Sequence, residues 1–498
     1  MLWKTIAILL SVVPVWAGSC EELSKLELPH TTITLAKAIG ISWPVTVRGV
    51  PPAPKQPFCR IAATVRPTSD SEILIEVWMP ESGWNGKYEA VGNGGWSGSI
   101  SYSPLAAAVT AGYAASATDT GHQGSSARFA LGHPEKLIDY AYRSEHEMAV
   151  AAKAVIAAFY GKGPRLSYWN GCSAGGKQGL KEAQRYPEDF DGIVAGSPAA
   201  NWTGRAAQSI WVAQAVHKDD ASYIPPDKYP LIHRAALAAC DELDGVTDGV
   251  IENPLACKFD PAVLQCKEGD TSECLNARQV EAARKIYAPS VNPRTGERLY
   301  SGLAPGSELS WQIWGGPKPL SIGLDYFRYV VFEDPNWDFQ ALDFDRDVAR
   351  AEGLERSRIN ATDPNLKPFF ARGGKLIQYH GWSDAQISPG NSVDYYHSVT
   401  ARLGNVDDSY RLFMVPGMAH CGGGEGATSF DATAALEQWV EQKKAPGQII
   451  ASRARDAEVD WTHPLCPYPK VAVYAGKGNP RDAANYVCRV TEAAHLQR

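Results

Sequence analysis

The sequence predicts an α/β fold built on a largely parallel sheet and interrupted by one large insertion. Two observations carry this. An alanine-rich helical stretch (Tyr140 to Tyr160), a short apolar run (Arg165 to Asn170) and a second helical run (Lys177 to Arg185) follow one another, and parallel strands need such crossovers between them. The rhythm returns with Lys375 to His380 and Tyr410 to Val415, two short apolar runs that end in loops. Between these two blocks, residues 200–365 are rich in Trp, Pro, Asp and Gly, and strand-like alternation fades.

At the N-terminus, Lys4 precedes the apolar run Thr5 to Val15, and Val15-Trp16-Ala17 stands before Gly18 like a small-residue cleavage site. Residues 1–17 therefore read as a signal peptide, which implies a secreted or periplasmic protein; a lipoprotein acylated at Cys20 is the alternative. Residues 59–120 carry β-type segments, Ile73 to Trp78 and Tyr88 to Val91, broken by Pro80, Gly83 and the cluster Gly92-Asn93-Gly94-Gly95. A catalytic domain is expected over 18–199 and 366–498, with a lid domain over 200–365.

With 498 residues and 44% hydrophobic content, the chain can bury one large core or two. Its 48 basic and 55 acidic residues are scattered and sum to −7, which leaves no basic face for nucleic acid. After the N-terminus no apolar run of about 18 residues occurs, so nothing there reads as a membrane span. Ten cysteines, an even number in an exported chain, point to disulfides, and the lack of any CxxC pair counts against a zinc knuckle. The pairing stays open, with Cys240 and Cys257, Cys266 and Cys274, and Cys466 and Cys488 as candidate short-range clips.

Gly171-Cys172-Ser173-Ala174-Gly175 matches the G-x-S-x-G nucleophile elbow, after a strand and before a helix, where that motif must sit. Glycines are needed because the turn is sharp and strand and helix approach closely. The helix N-terminus beside Ser173 favours a developing negative charge. In an α/β-hydrolase the order along the chain is Ser, then Asp or Glu, then His, each on a loop after a core strand. Asp384 follows one expected strand and His420 the next, completing a triad with Ser173; His380, at a strand end, reads more simply as a core histidine. The oxyanion would take N–H groups from Ala174 and from the glycine loop at Gly95. The chemistry is ester hydrolysis through an acyl-enzyme, with His420 as base and Asp384 fixing its tautomer. A secreted serine peptidase could use the same triad.

Cys172 directly precedes Ser173 and Cys421 directly follows His420. With Gly171 to Gly176, Tyr186 to Gly192, His380 to Asp384 and Pro416 to Cys421, this paired placement resembles the tannase and feruloyl esterase family, whose members also include mono(hydroxyethyl) terephthalate hydrolases. The likeness covers nearly the whole mature chain. It implies an α/β-hydrolase core with a lid, a disulfide between Cys172 and Cys421, and another between Cys20 and Cys59.

The resemblance also implies a structural calcium ion in the lid and no organic cofactor. Between Cys240 and Cys257, Asp241, Asp244 and Asp248 would supply carboxylates, and Val246 and Val250 backbone carbonyls, a hard-oxygen set suited to Ca²⁺. The expected substrates are small or polysaccharide-linked esters of aromatic acids, hydroxycinnamic first. Tannase action on galloyl esters and hydrolysis of terephthalate half-esters are the alternatives. Terephthalate enzymes carry a lid arginine and a phenylalanine shortly after the catalytic aspartate; here Ile387 takes the second place, and Arg328 is no secure counterpart of the first. Trp311, Trp314, Leu324 and Phe327, with Ile387, are candidate pocket residues.

Overall fold

The computed structural model describes residues 19–40, 56–269, 271–355, 358–456 and 458–491; the expected signal peptide lies outside them. Nine strands form one sheet: β1 (Thr31–Ile39), β2 (Phe58–Val65), β3 (Ile73–Pro80), β4 (Lys87–Val91), β5 (Ala114–Thr118), β6 (Leu166–Cys172), β7 (Gly192–Gly196), β8 (Lys375–Gly381) and β9 (Tyr410–Val415). Their spatial order is β1-β2-β3-β5-β4-β6-β7-β8-β9. From β5 to β9 every neighbouring pair is parallel, while β1 to β3, and β3 against β5, are antiparallel.

The parallel strands are buried on both faces, as the near-continuous apolar runs require. Side chains alternate across the sheet: Ile193 and Ala195 of β7 join one core cluster and Val194 the other. Helices α2 (Ser144–Tyr160), α3 (Ala174–Arg185) and α7 (Gly390–Leu403) close the first face, and α1 (Tyr102–Thr110) and α8 (Ala432–Gln442) the second. From β4 the chain passes through α1 to β5 on one side, then through α2 to β6 on the other. Strand order thus reverses at β4, opening a crevice at the carboxyl ends of β4 and β6, the usual ligand position in such sheets. Helix α2 starts later than its alanine content implies, because Asp139–Arg143 forms a wider turn in which the Arg143 Nε donates to Asp139 Oδ1 over 2.6 Å.

Residues 200–365 add no strand to this sheet. They hold α4 (Trp202–Val216), α5 (Tyr229–Cys240), α6 (Ala277–Tyr287) and a small ribbon, Ser290–Val291 with Arg298–Tyr300. One apolar cluster is internal to the insertion apart from Ala385 and includes Val216, Ile232, Ile286, Trp311 and Trp314. Another seats Trp202, Tyr326 and Phe327 against Trp96, Tyr140 and Ala174 of the core. Disulfides join Cys20 to Cys59, Cys240 to Cys257, Cys266 to Cys274 and Cys466 to Cys488; the first leaves no thiol at Cys20 for a lipid. Among the described residues no helix is long and apolar enough to cross a membrane.

An ionic contact also ties insertion to core. His233 of α5 places Nδ1 2.8 Å from Glu308 Oε2 and Nε2 2.8 Å from Glu425 Oε2, the latter in the loop beyond His420. Burial works against charge on His233, but the two carboxylates outweigh it and push its pKa up to about 9. The folded protein therefore holds this proton more tightly than the unfolded chain, and the stabilisation is full below the ordinary value of 6.5 and lost as pH rises through about 9. His233→Gln is expected to lower the melting temperature near pH 6, by on the order of 2 kcal/mol of stability. Melting curves at stepped pH check this: the gap to wild type should close by pH ~10.

Candidate active site

β6 ends at Cys172 and α3 begins at Ala174, so Ser173 makes the whole turn alone, with φ at 65°. Few side-chain-bearing residues adopt that conformation, and it costs roughly 1–3 kcal/mol. Its backbone is tied down on every side. Ser173 N–H donates to the Gly196 carbonyl at the end of β7 over 2.9 Å, and its own carbonyl accepts from the N–H groups of Lys177 and Ala199. The surrounding glycines are there for space: a Cβ on Gly171 would lie 2.5 Å from the Gly175 carbonyl, and one on Gly176 would lie 2.4 Å from the Gly196 oxygen.

Asp384 follows β8 and His420 follows β9. The His420 Nδ1 lies 2.8 Å from Asp384 Oδ2. Asp384 is fully buried, and its Oδ1 accepts the N–H groups of Gln386 (2.7 Å) and Ile387 (3.0 Å). Burial alone would raise its pKa; the hydrogen bonds from His380 and His420 outweigh this and hold the carboxyl far below the usual range. With Nδ1 engaged, His420 has Nε2 left for a partner. Ser173 and His420 line one cavity of about 540 Å³. The disulfide between Cys172 and Cys421 clamps their loops, with Cα atoms 5.9 Å apart across 249 residues of sequence.

Gly95 also lines this cavity, with φ at 55° and its carbonyl accepting from the Tyr140 hydroxyl at 2.6 Å. Ala174 is the first residue of α3, so its N–H has no carbonyl partner within the helix. Ser173, His420 and Gly95 line this cavity while Ala174 is not part of its lining; a serine and a histidine held by a buried carboxylate beside one cavity form an arrangement suited to acyl transfer.

The family model for tannase and feruloyl esterase matches residues 59–489. The chain belongs to the tannase and feruloyl esterase family. An uncharacterised esterase of Xanthomonas campestris is 37% identical over 95% of this chain and 91% of its own. A probable feruloyl esterase B-1 of Aspergillus flavus is 37% identical over 86% of each. The crystal structure of feruloyl esterase B from Aspergillus oryzae superposes with a TM-score of 0.89, at 30% identity, over 95% of this chain and 99% of that one. The protein is a carboxylic-ester hydrolase, and its α/β-hydrolase fold is that of this family.

Not every expected pocket residue of this family member faces the cavity. Ile387 lines it. Trp311 does not: it is fully buried inside the insertion, its indole N–H donating to Ser307 Oγ at 3.0 Å. Leu324 also lies outside the lining, one turn beyond Ser321 and Ile322, which do contribute. Trp314 and Phe327 are core residues as well. Trp311 and Trp314 thus belong to the insertion's own core and Phe327 to the seam between insertion and sheet domain. Arg205, which the sequence reading passed over, is almost wholly buried, lines the cavity, and donates from Nε to the Gln386 carbonyl at 2.9 Å. Only its place at the start of α4, at the mouth of the crevice, could have pointed to it.

The acidic loop between Cys240 and Cys257 is closely wound. Asp241 accepts from the N–H groups of Asp248 and Gly249, while Asp244 and Asp248 each accept the N–H two residues on and leave a second oxygen. Burial, then neighbouring carboxylates, push Asp244 up to about 7 and Asp248 up to about 6. Among the described residues no group of three or more His, Cys, Asp or Glu side chains is placed to hold a metal ion. The loop reaches the catalytic side, since a Cβ on Gly417, three residues before His420, would lie 3.0 Å from Val250 Cγ2.

The elbow yields a direct test. Gly171→Ala forces backbone against backbone and is expected to cost more than about 3 kcal/mol or abolish soluble folded protein. Gly163→Ala, in open space just before β6, should leave the melting temperature within about 2 °C of wild type.

Proposed function

We propose that this hydrolase cleaves esters of hydroxycinnamic acids through an acyl-enzyme. Ser173 is the nucleophile, His420 the base that takes its proton and returns it to the leaving alcohol, and Asp384 the group that fixes the imidazole tautomer and stabilises its charged form. Ala174 and Gly95 donate N–H groups to the oxyanion. The observation that carries this reading is the meeting of Ser173 and His420 in one cavity while Asp384 holds His420 from behind. Similarity over nearly the full chain to proteins named as feruloyl esterases places hydroxycinnamic esters first.

Galloyl esters are the second reading, since the family model covers tannases. Terephthalate half-esters are less favoured: Arg328 spends its Nε on the Trp337 carbonyl at 3.0 Å and does not line the cavity. In purified protein, methyl ferulate is expected to turn over with kcat/KM at least ~10-fold above methyl gallate and mono(hydroxyethyl) terephthalate, and Ser173→Ala to lose at least ~10³-fold. Preference for gallate would move the assignment to tannase, and cleavage of a peptide amide without ester turnover would move it to a peptidase.

We also propose that the loop of Asp241, Asp244, Val246, Asp248 and Val250 holds Ca²⁺, and that the chain is exported. Crowded, partly buried carboxylates with spare oxygens fit a hard divalent cation, which would neutralise their repulsion and brace the neighbouring His420 loop. Five disulfides fit an oxidising compartment. Chelation with EGTA is expected to lower the melting temperature, and calcium at 100-fold over Kd to restore about 2.7 kcal/mol. Asp248→Ala should lose this calcium response in the same melting assay.

A further inference from the structure

We propose that His380 is a positioning residue for the triad: its imidazole donates to Asp384 and thereby sets how strongly that carboxylate holds His420. The inference rests on the triad reading above. His380 lies at the end of β8, fully buried, four residues before Asp384. Its Nε2 lies 3.1 Å from Asp384 Oδ2 and 3.0 Å from the Ile387 carbonyl oxygen, and its Nδ1 lies 2.7 Å from Ser392 Oγ. A carboxylate and a carbonyl can only accept, so Nε2 carries a proton; Ser392, itself fully buried, then donates its hydroxyl to Nδ1.

Ser392 thus fixes the tautomer of His380, which donates to the same Oδ2 that receives Nδ1 of His420. Oδ1 takes two backbone N–H groups, so Asp384 has four donors and no freedom to rotate. The other ionisable groups acting on Asp384 are Arg205 and Tyr300, from α4 and the insertion ribbon. A satisfied core histidine would need only one acceptor, and Ile387 already offers it. The second contact draws charge from the catalytic carboxylate and weakens its pull on the His420 proton. Without it, the carboxylate is more basic, the imidazolium is held more firmly, and His420 must be freed of its proton at higher pH before it can act as base.

The test is the pH dependence of kcat/KM for p-nitrophenyl acetate, a probe indifferent to the identity of the aromatic acid. His380→Leu is expected to raise the acid limb by roughly 0.5–1 pH unit, and so to lower kcat/KM about 3- to 10-fold at pH values below it. His380→Gln, which keeps a donor, should restore the limb, and Ser392→Ala should move it partway while preserving the imidazole. A merely structural role would lower the folded fraction without moving the limb. An unmoved limb in both His380→Leu and Ser392→Ala overturns the proposal; if only one of these fails to fold, the other decides. Wild-type turnover that survives Ser173→Ala would overturn the triad reading, and this proposal with it.

Discussion

Everything at the catalytic crevice depends on one constraint: Ser173 must sit in a left-handed turn at the end of a buried strand. A non-glycine residue there costs roughly 1–3 kcal/mol, and the fold holds it only because β6, β7 and α3 approach closely enough to hydrogen-bond the turn from outside. That approach exists because Gly171, Gly175 and Gly176 have no side chains to block it. The same geometry puts the start of α3, with its unpaired N–H groups, beside the serine. The placement of Ser173 and the presence of the helix N-terminus beside it are therefore one structural event.

The second constraint is registration across the sheet. Ser173 follows β6, Asp384 follows β8 and His420 follows β9, so the parallel ladders β6–β7–β8–β9 set the spacing of the three side chains. Ladders place strand ends, while loops keep freedom of their own. The disulfide from Cys172 to Cys421 removes that freedom by tying the nucleophile turn to the histidine loop. The insertion adds further restraint through the ion pair from His233 to Glu425 and through Val250 against Gly417. The insertion thus also holds the loop that carries His420.

Much of this was legible in the sequence because short-range patterns decide it. The runs at Lys375 and Tyr410 are strands because short, largely buried runs between loops have few alternatives, and the elbow is readable because only one backbone shape accommodates its glycines. What escaped reading depends on tertiary direction. Trp311 and Leu324 sit in the lid with pocket-like composition, but which way a ring faces is set by α5 and α6 packing around it. Arg205 carries no local signal, since a lone arginine in a helix is ordinarily a surface residue. Ile73 to Trp78 reads as a strand, but β1 and the antiparallel pairing of β1 to β3 were hidden, their partners being fixed by pairing across the chain.

His380 is where sequence and structure diverge most usefully. A histidine at a strand end is reasonably read as core, and it is indeed wholly buried. Burial of a polar ring is stable only if both nitrogens are satisfied, and here one of them is satisfied by the catalytic carboxylate. A buried carboxylate with a single partner would be prone to protonate; four donors hold Asp384 as an anion despite its burial. The hydrogen bonds that make the interior tolerable are then the same ones that set the basicity of Asp384. Core packing and the candidate site cannot be separated at this position, because the polar satisfaction of β8 runs through Asp384.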